Sequence, residues 1–451
     1  MKRRFAISCF VLMLLPAVAA AQSTNVTITE RLTLDRAIHL ALENNRQLQT
    51  AALQVQKASE GVEIARSRRL PVFNIEGQAS QLLTPVDFAF PQGAFGEFAG
   101  IGPIPATDTD VSVPRQLTYY VNSQVSQPVT QLFRIGLGID SAVASHAIEQ
   151  EHARAQRLSV TNSVKRLYFA ILQTESALAA TDQAIALYRE LDRTLEVRVA
   201  QKVALRSDAL DVQFRLAQQQ LTKTTYQNTL ASQKEQLNQL LGRDVRTDFV
   251  VEPVSTLSIA DIDVNAARTR ALEGRPDLRE ARLRVEQADL DRRAKKAERI
   301  PDLSVAVSYS SYFNIDVMPT NLAAAGLQLK WEPFDWGRKG RELASKTHTV
   351  DQARLAVRDA EDKVIVDVNT RFRTLAEKRA LLNVAQMAQA TSREKLRVKT
   401  NQYQVQAVLL PEVLQMRAEQ ADSDDHYQQA LLAFWTAKAD FETAVGEEVI
   451  P

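Results

Sequence analysis

Two rhythms of apolar and polar residues alternate along the chain, and the switch between them happens twice. Across stretches rich in Ala, Gln, Arg and Glu the apolar positions keep a helical period. Val164, Ile171 and Leu178 step by seven, and so do Val368, Leu375 and Leu382. That spacing makes a narrow seam facing a partner helix and leaves the remaining surface wet. At "ERIPDLSVAVSYS", Glu298 to Ser310, the period drops to two. Asp302, Ser304, Ala306 and Ser308 alternate with Leu303, Val305, Val307 and Tyr309, the pattern of a strand with one apolar face. The same change occurs 230 residues earlier in "RSRRLPVFNIEGQAS", where Pro71, Phe73 and Ile75 match Pro301, Leu303 and Val305. Proline stops the helix at both places.

The chain is therefore one unit written twice. Residues 33–58 align without gaps on 263–288, with Ala37/Ala267, Ala41/Ala271, Leu48/Leu278, Leu53/Leu283 and Ala58/Ala288 all 230 apart. Past the strands the offset is about 204, so the first copy is about 25 residues longer. The surplus lies between its two strand signals, where residues 85–114 are rich in Gly, Pro and Phe and read as a long loop. Each half predicts a short helix (about 33–45; 264–274) and a second helix (48–69; 277–299). An outgoing strand (about 72–84; 302–313) and a returning strand (about 117–128; 324–332) follow. A very long helix (about 138–201; 340–404) and a closing helix (about 208–241; 412–445) complete the half. The expected organisation is a signal at 1–21, a first repeat at 22–247, a linker at 248–262 and a second repeat at 263–451.

Lengths suggest how these parts assemble. At ~1.5 Å per residue the helix 138–201 spans ~96 Å, while 48–69 and 208–241 placed end to end span ~84 Å. One long helix thus lies beside two shorter ones stacked as a pseudo-continuous rod. The strands have the length that crosses a bilayer at a tilt. Their apolar residues (Phe73, Ile75; Val121, Val125; Leu303, Val305, Val307; Leu327, Leu329, Trp331) alternate with polar ones (Asn74, Glu76, Gln78; Asn122, Gln124; Ser304, Ser308; Gln328, Lys330). Tyr119, Tyr120, Tyr309, Tyr312, Trp331 and Trp336 stand near strand ends as an interfacial girdle would. A soluble antiparallel sheet lying on a core alternates in the same way. Four strands cannot close in lipid, where an open edge leaves backbone groups unpaired at several kcal/mol each. Copies must then pool their strands: eight give an interior that side chains fill, and twelve or more leave a lumen.

Composition narrows the possibilities. The 55 basic residues are balanced by 54 acidic ones, with no basic face that would suit nucleic acid. "MKRR", an apolar run and "AVAAAQ" read as a secretory signal cleaved after Ala21, leaving 52 basic against 54 acidic residues. Cys9, the only cysteine, departs with it. It lies inside the apolar run and not after it, which argues against lipidation, and a chain without thiols suits an oxidising compartment. No metal-ligand spacing links the five histidines and no glycine-rich phosphate loop occurs, so neither an enzyme nor a metal or cofactor site is expected.

The doubled organisation, "ALEGRPDLREARLRVEQADLDRRAKKAERIPDLSV", "VSQPVTQLFRIG", "WEPFDWGRKGRELA" and the tips "KVALRSDALDV" and "QYQVQAVLLPEVLQ" resemble the TolC-like outer-membrane efflux protein family. The resemblance covers nearly the whole mature chain. It implies a mainly α fold with a membrane β-barrel portion: a homotrimer whose helical hairpins form an α-barrel and whose four strands per chain build a twelve-stranded barrel. It implies an exit duct, without catalysis, docked to a periplasmic adaptor and an inner-membrane pump of RND, ABC or MFS type. Val203, Ala204, Leu205, Arg206 and Ser207, with Ala407, Val408, Leu409, Leu410 and Pro411, fall where the adaptor would dock. Lys202 and Gln406 stand where family turns commonly have glycine. Asp208, Asp211, Tyr403 and Glu412 fall at the gate, Glu412 as an inward carboxylate ring favouring cations. Val408 replaces the usual basic partner, and Gln415 holds the place of a second acidic ring. Three converging carboxylates would raise one another's pKa. First-turn acids also cap helices, with Ser207 expected as N-cap and Pro411 in the first turn. The alternative is a soluble periplasmic coiled-coil scaffold or adaptor-like protein, which leaves the paired strands without a role.

Overall fold

A computed structural model describes residues 30–254, 263–314, 319–405 and 407–447. The expected signal with Cys9, residues 255–262 of the expected linker and Gln406 lie outside the described residues. The first half runs β1 (Glu30–Leu32), α1 (Leu34–Asn44), α2 (Arg46–Ser67), β2 (Val72–Gln81), β3 (Val86–Phe90), β4 (Glu97–Phe98), β5 (Gly102–Pro103), β6 (Thr109–Val113), β7 (Leu117–Pro128), α3 (Gln131–Ala200) and α4 (Arg206–Leu240). The second runs β8 (Phe249–Val251), α5 (Val264–Gly274), α6 (Pro276–Ala297), β9 (Asp302–Phe313), β10 (Asn321–Lys330), α7 (Arg338–Gln404) and α8 (Leu410–Val445).

These elements form one layer. Helix α3 packs on α2 and α4 along one side and on α6 and α8 along the other, and α7 packs on α6 and α8. The 4-stranded antiparallel sheet has the order β10-β9-β7-β2. Because β2 follows α2, β7 precedes α3, β9 follows α6 and β10 precedes α7, the strands keep the order of the helices they continue. With 70 residues, α3 is ~105 Å long. Beside it α2 and α4, of 22 and 35 residues, share its length.

The stacked rods are joined at a waist. There Asn45, buried between α1 and α2, caps α2 by accepting from the N–H groups of Gln47 (2.8 Å) and Leu48 (3.2 Å). Its amide donates to the Leu240 carbonyl in the last turn of α4 at 2.8 Å. Arg275 makes the same link in the second copy without a side-chain cap on α6, donating to Ala444 O (3.2 Å) in the last turn of α8 and to Asp367 (2.8 Å). Asn45 and Arg275 are 230 apart, and Leu240 and Ala444 are 204 apart, so one joint obeys both offsets. Helices α4 and α8 each end on a left-handed glycine, Gly242 (φ 70) and Gly446 (φ 79). In both turns the next N–H closes back onto the helix, Arg243 to Asn238 O and Glu447 to Glu442 O.

Most of the buried core sits at this waist, where β1 and β8 form a parallel pair, Glu30 to Phe249 and Leu32 to Val251. Tyr168, on α3, is fully buried beneath them. Its hydroxyl lies 2.8 Å from Leu32 O and 2.7 Å from Glu252 O, and accepts from the Glu252 N–H at 3.0 Å. Burial pushes its pKa up to about 12. The two segments flanking the first copy are thereby tied to the same helix.

Several elements depart from expectation. The 85–114 stretch is not featureless loop but two antiparallel ribbons, β3 with β6 and β4 with β5. Phe88, Phe90, Val111 and Val113 supply the apolar side of the larger one. Helix α3 starts at Gln131, not 138, because Thr130 seals the junction: its hydroxyl donates to Pro301 O (2.7 Å) and accepts from the Leu303 N–H (2.9 Å). The β1–β8 pair went unanticipated because three-residue strands carry no periodicity. Strand β2 ends at Gln81, and β10 runs from Asn321 to Lys330. No described helix is long and apolar enough to cross a membrane.

Candidate functional site: the sheet and the hairpin tips

Cross-strand partners share a face, so the register sorts every side chain of the sheet. One row is Phe73, Val125, Val307 and Ala325; the next is Ile75, Ser123, Tyr309 and Ala323. Leu327 and Leu329 extend the same face beside Val305 and Leu303. The opposite face carries Asn74, Gln124 and Ser308, then Glu76, Asn122 and Ser310. In the single chain the apolar face is bare: Ile75, Leu327 and Leu329 are each more than 60% exposed. Strands β2 and β10 have one neighbour each, so both edges of the sheet are open.

The expected aromatic girdle divides under this register. Tyr119 stacks on Phe313 (5.0 Å) on the apolar face at the end far from the helices, and Tyr309 shares that face. Tyr120 and Tyr312 pair at 6.0 Å on the polar face, so the girdle expectation is corrected for these two. At the helix end Trp331, Phe334 and Trp336 are all exposed, with Trp336 held at φ 55 just before α7.

At the other end of the rods the turns join α3 to α4 and α7 to α8. Lys202 takes the left-handed conformation (φ 61) that glycine would occupy. The Lys202 N–H bonds to Val199 O and that of Val203 to Arg198 O, both at 2.9 Å, closing the helix end. In the second tip the Ala407 N–H reaches Gln402 O at 2.8 Å, the equivalent bond 204 residues on. A lysine costs about 1 kcal/mol at such a position relative to glycine. We expect Lys202→Gly to raise the protection of the Val203 amide against hydrogen exchange severalfold, with no change at Ala407.

Leu205 and Leu409 occupy the N-cap positions of α4 and α8. Ser207 lies inside the first turn, which corrects its expected role as cap. Asp208 and Glu412 are each the third helical residue, but only the longer Glu412 reaches back, accepting from the Leu409 N–H at 3.4 Å. Its other oxygen accepts from Lys399 Nζ at 2.9 Å across the hairpin. The Lys399 ammonium, then the Leu409 N–H, hold the Glu412 carboxyl below the usual carboxylate range. Within one chain this is the opposite of the rise expected from converging carboxylates. Asp211 pairs with Arg215 at 2.9 Å one turn along. Tyr403 is exposed, as are Val203, Leu205 and Leu409, at 69%, 68% and 59%. Lys399 carries no local motif; only the hairpin, with its turn midway to Glu412, brings the pair together.

Comparison with known proteins agrees with this architecture. The model of the family described as "Outer membrane efflux protein" matches residues 37–243 and 267–447, stretches that begin 230 and end 204 residues apart. Toxin and drug export protein A of Aggregatibacter actinomycetemcomitans is 21% identical, the match covering 75% of this chain and 70% of that protein. The outer membrane channel CmeC of Campylobacter jejuni superposes with a TM-score of 0.74 at 15% identity, covering 92% of this chain and 85% of that one. The outer membrane protein VceC of Vibrio cholerae gives 0.71 at 17% identity, with 92% and 96% covered. With the family model spanning both copies and the fold shared from sheet to tip, the chain belongs to the outer membrane efflux protein family.

Proposed function

We propose that three copies of the chain pool their sheets into a twelve-stranded barrel, and that the duct so formed passively conducts cargo delivered at its tips by a periplasmic adaptor and an inner-membrane pump. The observation that carries this reading is a sheet with one predominantly apolar face and two open edges, standing on a stalk ~105 Å long. Edge β2 of one copy meeting β10 of the next satisfies both edges at once. Two copies would make an eight-stranded barrel that side chains fill, whereas three leave a lumen. A soluble scaffold gives this face nothing to do. Extraction that requires detergent, with a trimer on gels that dissociates on heating, supports the reading; a monomer free in the periplasm refutes it.

The tips supply docking and gating in this proposal. Exposed Val203, Leu205 and Leu409 offer apolar contact to the adaptor, and Glu412 from each copy faces the axis. Since Lys399 already balances that carboxylate, the ring is a locked pair in each chain and not a bare negative charge. Glu412→Ala therefore removes three carboxylates and frees three ammonium groups, and planar-bilayer conductance should turn away from cation preference. Lys399→Ala should strengthen that preference. Unchanged selectivity in both variants would confine the pair to holding the turn. The pH dependence has a definite sign. A depressed carboxylate stabilises the tip above its unfolded pKa, and that stabilisation disappears as pH falls through the lowered folded value.

A further inference from the structure

We infer that a collar of unpaired cations at the stalk end of the sheet binds the phosphates of anionic phospholipids, fixing the depth of the barrel in the leaflet that faces the stalk. This rests on the proposed membrane placement of the sheet.

Both copies turn from helix to strand through the same triplet, Arg69-Leu70-Pro71 and Arg299-Ile300-Pro301. Leu70 and Ile300 are exposed at 62% and 48%, three residues before the apolar-face positions Phe73 and Leu303. Gln127, on the apolar face of β7, donates to Arg69 O at 3.0 Å, which holds the Arg69 backbone beside that face. Arg68, Arg293, Lys296 and Arg341 lie within a few turns of the same border, and all six cations are exposed. None of the six has an ion-pair partner among the described residues.

Nearby carboxylates do not answer this charge: Asp335 accepts from the backbone N–H groups of Gly337 and Lys339, and the others pair with cations outside the six, Glu298 and Glu342 sharing Lys295. Glu63 binds Arg66 (2.6 Å), Asp289 binds Arg292 (2.7 Å) and Glu298 binds Lys295 (2.9 Å). Asp302 binds Arg134 (3.2 Å), Glu332 binds Arg338 (2.6 Å) and Glu342 binds Lys295 (2.8 Å). The far rim has the reverse balance: residues 82–116 hold Asp87, Glu97, Asp108 and Asp110 against Arg115 alone. An apolar belt bordered on one side by surplus cations matches a leaflet whose phosphates lie just beyond the acyl chains. Exposed arginines and lysines at that depth attract anionic lipid, and the attraction fades within a Debye length.

The test is quenching of tryptophan fluorescence in the reconstituted full-length protein. Trp331 and Trp336 border the belt, while Trp435 is buried in the waist and supplies a constant background. Vesicles contain phosphatidylcholine with acyl-brominated phosphatidylglycerol or acyl-brominated phosphatidylcholine. We expect apparent binding about fivefold stronger for the anionic lipid at low salt. It should collapse towards onefold at high salt in the unaltered protein, and at any salt in Arg69→Gln/Lys296→Gln/Arg299→Gln. Equal quenching by both lipids, or a preference that survives salt and the triple substitution, overturns the collar and leaves the barrel standing. Quenching by neither lipid overturns the membrane placement, and the collar with it.

Discussion

Gly242→Ala is expected to unfold the waist well below the unfolding temperature of the parent protein. A Cβ at this position would lie 2.1 Å from the Asn44 carbonyl oxygen and 2.6 Å from its carbon. Those atoms belong to backbone, which no rotamer change can clear. The residue also sits at φ 70, a region costly for alanine. To relieve the clash α4 must withdraw from the α1–α2 junction, breaking the bond from Asn45 to Leu240 and parting the stacked rod. A loss of about 3 kcal/mol or more follows from the clash and the strain together. Thermal unfolding of the purified protein in detergent measures it. Gly446→Ala should be milder, since its nearest neighbours are Arg275 atoms at 3.3–3.4 Å. Gly61→Ala, inside α2 with nothing within 4 Å, should be neutral or slightly stabilising. An unchanged melting temperature for Gly242→Ala would refute the wedged joint.

Two neighbouring substitutions in β9 should part company as sharply. Val307 lies mid-strand in the apolar row with Phe73 and Val125, and Ser308 lies on the other face with Gln124. An arginine on the lipid side of a barrel costs about 2–4 kcal/mol at the bilayer midplane, and a trimer bears it three times. Val307→Arg should therefore abolish the heat-sensitive oligomer in membrane fractions. Ser308→Arg should assemble normally and alter only conductance, since in the proposed duct its side chain enters a wet lumen. If the outcomes are exchanged, the sheet is inside out and the duct as proposed is wrong.

What could be read in advance follows from what leaves a periodic trace. The long helices, the four strands and their doubling all show in residues that repeat every seven, every two, or at 230 and 204. The chain order of strands and helices also implies their neighbours once the two copies are set side by side. The joints are another matter. Asn45 and Arg275 are different residue types making one link, so no likeness of sequence marks them. Lys399 and Glu412 meet only because a turn folds between them, and an isolated lysine on a charged helix looks like any other. Tyr120 and Tyr312 depart from the expected girdle for a related reason: adjacent aromatics such as Tyr119 and Tyr120 must point to opposite faces, so standing near a strand end does not by itself put a ring in the lipid. The ribbons of 85–114 escaped because five-residue strands between glycines and prolines resemble turns.

Since each strand of the four-stranded sheet prolongs one helix, tube and barrel of the proposed trimer have the same number of staves but are cut from stock of different widths. Helices sit ~8–10 Å apart, whereas strands tilted by ~40° take up only ~6 Å of circumference each. The tube must therefore be about one and a half times as broad as the barrel it feeds. That taper has to be absorbed where neither material continues, at residues 68–71, 129–130, 298–301 and 331–337. Three prolines (Pro71, Pro301 and Pro333), the Thr130 seal and the left-handed Trp336–Gly337 pair are gathered in this ring. A cooper would recognise the position of a hoop.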